Sequence, residues 1–126
     1  MLKIRYSDLE KDYEKLVAEK FINDYKNGLT PNPDILCNRE IKFGLFWEKA
    51  KSMGADAIAT GHYAQIENGF LKKGRDDSKD QAYFLWTLNS EDLSHTIFPL
   101  GNMTKKEVRI IAKDANLPVS EKKDSQ

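Results

Sequence analysis

Residues 30–43, Thr30-Pro31-Asn32-Pro33-Asp34-Ile35-Leu36-Cys37-Asn38-Arg39-Glu40-Ile41-Lys42-Phe43, constrain the chain more than any other stretch. Each proline fixes its own φ and biases the residue before it towards extended geometry. Thr30 and Asn32 are therefore expected to be extended, and neither proline can donate a backbone hydrogen bond. Asp34 has the side chain of an N-cap, which makes Ile35, Leu36 and Cys37 the first helical positions. The chain's single cysteine then sits among unpaired backbone N–H groups. The positive end of a helix dipole favours an anion, so this reading expects a thiol activated as thiolate.

A chain of 126 residues is long enough for one domain with a real core. Lys plus Arg and Asp plus Glu are both 20, so no global field draws in nucleic acid or an acidic membrane, and any polyanion site has to be a local patch. No apolar run approaches the roughly 18 residues of a membrane span, and residues 1–6 have neither signal- nor transit-peptide character, so a cytoplasmic protein without membrane contact is expected. A lone cysteine excludes an internal disulfide and a cysteine-rich zinc site. It leaves a buried inert thiol, a reactive one, or one whose partner lies elsewhere.

Leu9, Tyr13, Leu16, Val17, Phe21 and Tyr25 recur at helical spacing after the caps Ser7 and Asp8, with Gly28 as the stop; the bland reading is a surface helix with one core face. The helix opened at residue 35 runs on through Ile41, Leu45, Phe46 and Ala50 to Met53, where Gly54 reverses the chain. Ala57-Ile58-Ala59-Thr60 then reads as a strand of a parallel sheet covered on both faces. The order helix, glycine, strand predicts an α/β fold. Gly61 and His62 follow at the strand's carboxyl end, where open α/β sheets bind ligands and a glycine permits close approach.

Residues 63–67 and 70–73 predict a hairpin about a type I′ turn at Asn68-Gly69. Residues 75–81 form a charged loop, and Asp80 caps the segment after it. Residues 82–88 are apolar nearly all round, either a buried helix or a platform from which Tyr83 or Trp86 meets a base; burial is the expectation. Ser90 opens another helix that Phe98-Pro99-Leu100-Gly101 ends. Thr104 and Glu107 have capping-box spacing ahead of a last helix stopped by Asn116 and Pro118.

Asp34 and Cys37 lie three apart, so at a helix start a carboxylate and a thiol face the same space, an acid/base group beside a nucleophile. The ordinary uses of the two residues are a cap and a small buried hydrophobe. A lone His62 near a strand end is ordinarily structural. Lys72, Lys73, Arg75 and Lys79 make a basic loop that suits phosphates, tempered by Asp76, Asp77 and Asp80; a solvated charged loop is the plain alternative. No glycine-rich phosphate loop and no metal-ligand cluster occurs in these residues.

Four blocks carry a resemblance: residues 30–43; Ala59-Thr60-Gly61-His62-Tyr63-Ala64; Lys79-Asp80-Gln81-Ala82-Tyr83-Phe84-Leu85; and Lys122-Lys123-Asp124-Ser125-Gln126. In this order and spacing the chain resembles the tRNA-uridine 2-sulfurtransferase family. The resemblance implies part of a Rossmann-like adenine nucleotide alpha-hydrolase domain (the ATP-pyrophosphatase, PP-loop type) over residues 1–62. A small tRNA-contacting region of hairpin, loop and helices would follow over residues 63–126. It implies conversion of the wobble uridine of tRNA to 2-thiouridine, with ATP and magnesium adenylating C2 and a persulfide donor protein supplying sulfur. On the family's pattern, Cys37 matches a catalytic cysteine and Asp34 an acid/base group. Asn32, Pro33 and Asp34 match the segment that receives the target base, Gly61 an ATP contact, and His62, Lys79, Asp80 and Gln81 tRNA contacts. The family's phosphate loop precedes the present Met1 and its second cysteine follows the present Gln126, so the chain is expected to be a central segment, inactive alone. The alternatives are a truncated tRNA-binding module without turnover and another ATP-pyrophosphatase relative. Arg75 and Ala82 depart from the family's usual apolar residue and serine.

Overall fold

A computed structural model of the chain describes residues 7–118; the block of residues 122–126 lies outside them. The chain divides into two compact units, one up to Ala57 and one from Ile58 onwards.

In the first unit, helix α1 spans residues 10–26 as Glu10–Tyr13, a wider π-helical stretch Glu14–Ala18, and Glu19–Lys26. Asp8 Oδ1 accepts from the Glu10 N–H at 3.0 Å, so the expected acidic cap is present one residue outside the helix start. The helix closes as Gly28 suggested. The Gly28 N–H donates to the Tyr25 carbonyl at 3.1 Å and the Leu29 N–H to that of Asp24 at 3.0 Å, the paired bonds of a Schellman stop. Helix α2 spans residues 33–52 as Pro33–Leu36, a π-helical stretch Cys37–Leu45, and Phe46–Ser52, and Gly54 reverses the chain at φ +87° as expected. Val17, Leu36 and Ile41 are buried together, with Leu9, Leu16, Cys37 and Leu45 packed around them. The core face of α1 is therefore narrower than its apolar stripe, since Tyr25 remains 71% exposed.

In the second unit, β1 (Ile58–Ala59) pairs in parallel with β4 (Thr96–Ile97), Ile58 opposite Thr96 and Ala59 opposite Ile97. The expected parallel pairing is present, but the expected cover on both faces is not: Ile58 is buried and Ala59 exposed. Successive residues of a strand point to opposite sides, and among the described residues only the Ile58 side is packed. The partner strand was not anticipated; residues 96–97 lie in what read as the tail of a helix.

β2 (Ala64–Glu67) and β3 (Phe70–Lys73) form the predicted hairpin. Asn68 and Gly69 have φ +52° and +80°, the positive pair that a I′ turn requires. Residues 82–88 are not a buried helix. A short 3₁₀ turn, Ala82–Leu85, buries Leu85 while leaving Tyr83 and Trp86 exposed. Helix α3 (Ser90–Ser94) starts at Asn89 with a capping box: the Asp92 N–H donates to Asn89 Oδ1 at 3.0 Å and the Asn89 N–H to Asp92 Oδ2 at 2.9 Å. It ends at Ser94, well before Phe98. Helix α4 (Lys105–Asp114) has the predicted Thr104–Glu107 box and the predicted stop, with Asn116 at φ +53°.

Candidate functional site

The geometry of residues 30–43 differs from the sequence expectation in one respect that matters for chemistry. Asn32, extended at φ −109° and ψ 109° as a residue before proline should be, is the N-cap, and Pro33 and Asp34 are the first two helical residues. Asn32 Oδ1 accepts from the N–H groups of Asp34 at 3.0 Å and Ile35 at 3.3 Å, and the Leu36 N–H reaches the Asn32 carbonyl at 3.2 Å. Cys37 is thus the fifth helical residue, and its N–H is engaged by the carbonyls of Pro33 and Asp34. The helix begins two residues earlier than read because a proline at the first position needs no hydrogen-bond partner and an asparagine ahead of it caps well. Thiol activation by open N–H groups therefore loses its basis.

The Asp34–Cys37 pairing read from the spacing then has a different setting. Asp34 is exposed in the first turn of the helix. Cys37, one step along the same face, is a free, half-buried thiol set against Val17, Leu36 and Ile41. The core fixes the thiol from behind, and the capped, proline-stiffened start fixes the carboxylate. Asn32→Ala is expected to lower stability by about 1 kcal/mol while Asn32→Asp, which keeps the acceptor, holds it. The midpoints of urea unfolding curves distinguish the two variants.

In the second unit, Gly61 is exposed two residues after β1, and a Cβ built there would meet nothing within 4 Å. The strand's carboxyl end is therefore open. His62 is 8% exposed, with Nδ1 at 2.7 Å from Thr60 Oγ1 and Phe98 edge-on to its ring at 6.0 Å between centroids. That is the setting of a structural histidine. Lys79, Asp80 and Gln81 are brought to one loop edge with unequal roles. Asp80 Oδ1 accepts from the Gly74 N–H at 3.1 Å and the Ala82 N–H at 3.2 Å, so it caps the following turn as expected and also closes the loop. Gln81 Oε1 accepts from the Tyr63 N–H at 3.1 Å, and the Gln81 N–H donates to the Tyr63 carbonyl at 3.2 Å. Both side chains act as struts that hold the loop on the hairpin.

Sequence reasoning missed one more strut. Asp76 Oδ1 accepts from the Ser78 hydroxyl and N–H, and its Oδ2 from the Lys105 N–H at 2.8 Å, so a loop carboxylate caps α4 from outside that helix. The Ser78 hydroxyl and then the Lys105 N–H hold the Asp76 carboxyl below the usual carboxylate range. Glu107 is lowered likewise, first by the Thr104 N–H and hydroxyl and further by Arg75, whose Nη1 lies 3.3 Å from Glu107 Oε1. The Asp76-Asp77-Ser78 spacing is the local signal for an Asx turn; its reach to Lys105 has none. Among the described residues no group of three His, Cys, Asp or Glu is placed to hold a metal ion, and no helix is long and apolar enough to cross a membrane.

Residues 1–126 match the family model described as the tRNA methyl transferase HUP domain. The chain belongs to this family. Its relatives include tRNA-specific 2-thiouridylase MnmA 2 of Aliarcobacter butzleri, 57% identical over 128 residues that cover 98% of this chain and 35% of the relative. The tRNA-specific 2-thiouridylases MnmA of Methylobacillus flagellatus and Streptococcus agalactiae are 52% and 50% identical, each over 94% of this chain and over 34% and 33% of the relative. The chain spans about a third of the length of the curated relatives it matches. The family resemblance and the α/β HUP-type fold class read from the sequence both hold. For this family member, the exposed Asp34 and half-buried Cys37 are the pair on which a chemical reading rests.

Proposed function

We propose that the chain is the cysteine-bearing central segment of an ATP-dependent tRNA thiolase that converts the wobble uridine to 2-thiouridine in the cytoplasm. The observation that carries this reading is the Asp34–Cys37 face behind the Asn32 cap, in a chain 57% identical to a protein named tRNA-specific 2-thiouridylase. Residues 1–62 would belong to the nucleotide-binding domain and residues 63–126 to the tRNA-contacting region. In the reaction, the C2 oxygen of uridine takes AMP from ATP with loss of pyrophosphate. The outer sulfur of a cysteine persulfide, charged by a donor protein, then attacks C2, and AMP leaves with the oxygen. Cys37 attacks or resolves the persulfide, and the disulfide so formed takes two electrons from a dithiol reductant before the next turnover. Asp34 moves the proton, and Asn32, Pro33 and Asp34 offer a rigid edge against which an everted base lies. The Oδ1 atom of Asn32 is committed to the helix, so its amide N–H₂ is what it can turn to the base.

Gly61 would let a nucleotide approach the carboxyl end of β1, since a Cβ built there meets nothing within 4 Å. Its phosphates and magnesium require a phosphate loop that these residues do not supply. Lys79 is the loop cation offered to the tRNA backbone; Asp80 and Gln81 set its position, and His62 supports the strand end from within.

With tRNA, ATP, magnesium and a persulfide donor, the 126-residue chain is expected to form no 2-thiouridine. A chimera in which it replaces the matching segment of the Aliarcobacter butzleri relative is expected to form it, as read by mass spectrometry of digested nucleosides. Thiolation by the chain alone would overturn the segment reading. A chimera that folds and binds tRNA but leaves uridine unmodified would overturn the thiolase reading.

A further inference from the structure

The buried positions of α2 do not follow the spacing of an α-helix. Leu36 and Ile41 are buried with Val17 of α1, and Leu45 packs against them. A second row, Asn38, Phe43 and Trp47, is buried as well. Each row steps five residues and then four. In an α-helix, residues four apart lie about 40° from one another around the axis, whereas residues five apart lie about 140° apart and belong to different faces. Both five-residue steps cross the stretch Cys37–Leu45, whose π-helical hydrogen bonds run from i to i+5. Two rows offset alike are what one extra residue in a helix produces. The wide backbone closes tightly at Gly44, where a Cβ would lie 3.0 Å from the Arg39 carbonyl oxygen. The facing stretch of α1, Glu14–Ala18, is π-helical too, and both Pro33–Leu36 and Cys37–Leu45 pack on it.

The alternative register shows what the extra residue excludes. Continued as an α-helix above Ile41 and Leu45, the first row would take in Cys37, four residues before Ile41, in place of Leu36. The second, above Phe43 and Trp47, would take in Arg39 in place of Asn38. That register would bury a guanidinium that is now exposed and paired with Glu40 Oε1 at 2.6 Å, and would turn Leu36 out to water. A buried charge and an exposed leucine are both unfavourable, so the wide register is retained.

We propose that α2 carries one residue more than its α-helical phase needs, between Asn38 and Ile41, and that this extra residue is a positioning device. It seats Leu36 in the core and so holds the Cys37 thiol at the rim of the core instead of within it. The use made of the thiol rests on the thiolase reading above; its placement does not.

Cys37 is the chain's only cysteine, so its alkylation by iodoacetamide reads that placement directly. In an ordinary α-helix, removing a residue and adding one are equally disruptive, each turning one half by about 100° against the other. Here the two are expected to differ. Deleting Arg39 leaves Leu36, Ile41 and Leu45 four apart and Asn38, Phe43 and Trp47 four apart, so the helix closes as α with both rows kept. The urea midpoint is expected to stay near the parent's and the alkylation rate within about twofold of it. Deleting Glu40 instead is expected to do the same, and Arg39→Ala controls for the lost pair with Glu40. Inserting an alanine after Arg39 makes both steps six. The midpoint is then expected to fall, and alkylation to quicken about tenfold as Leu36 loses its seat. If both deletions cost as much as the insertion, the helix has no residue to spare; if the insertion is as harmless as a deletion, the rows are not seated as described. A deletion variant that keeps its midpoint but is alkylated about tenfold more slowly would show that the register does not hold the thiol at the rim. Each of these three outcomes overturns the assignment. Failure of the chimera to thiolate uridine would count against the thiolase reading and leave the register standing.

Discussion

Cys37→Ser in the chimera carrying this chain is expected to abolish 2-thiouridine formation, a loss of at least about 10³-fold, because an alkoxide-poor hydroxyl can neither attack nor resolve a persulfide. The substitution is small and the site half-buried against Leu36 and Ile41, so the fold and tRNA affinity should stay close to the parent. Those two measurements separate lost chemistry from lost structure. Asp34→Asn supplies the graded comparison: an exposed residue whose removal as acid/base group should cost about 10²- to 10⁴-fold, with the thiol still open to alkylation. Wild-type thiolation by the serine variant would remove Cys37 from the mechanism altogether.

Gly101→Ala is expected to destabilise the second unit by about 3 kcal/mol, at the upper end of what overpacking a close contact costs. Gly101 is buried, its carbonyl accepting from Gln65 Nε2 at 3.1 Å and from the Arg75 N–H at 2.8 Å. A Cβ there would run into the carbonyl oxygen of Ala64 and lie 2.9 Å from Gln65 Cγ. Ala64 is itself fully buried and fixed in the hairpin register opposite Lys73. Relief therefore requires moving one backbone segment off another. Gly61→Ala is the control. It faces open space, so its stability change should stay within about 0.5 kcal/mol. Urea unfolding of both variants checks the contrast, and equal midpoints would show that the turn at residues 98–101 does not seat on the hairpin as described.

The candidate residues of the two units were legible to different depths, each within its own unit. Around Cys37, proline, asparagine and aspartate in sequence announced a rigid helix start, and the structure moved it by two residues. That displacement placed the cysteine beyond the first turn and made Asn32 the side chain that meets the first N–H groups. A one- or two-residue error is harmless for the fold, yet it changes which side chain meets the unpaired backbone donors, because those donors are confined to a single turn. In the loop of residues 75–81 the charges were legible but their directions were not. Asp80 read as a cap and Asp76 and Gln81 as members of a charged loop, and all three prove to be hydrogen-bonded struts.

By itself the sequence determined the features whose causes lie within a few residues. These include the positive-φ turn at Asn68-Gly69, the Thr104–Glu107 capping box, the stop at Gly28, the helical run from residue 35 onwards, and the four blocks that mark the family. Tertiary structure alone decided that β1 takes Thr96–Ile97 as its parallel partner, that Leu85 goes inward while Tyr83 and Trp86 stay out, and that Asp76 caps a helix 29 residues away. The physical reason is range. Turns and caps are set by φ preferences and by hydrogen bonds that close within one turn of chain. The side a residue faces and the distant donor it satisfies depend on which segments pack together, and short-range patterns carry no record of that.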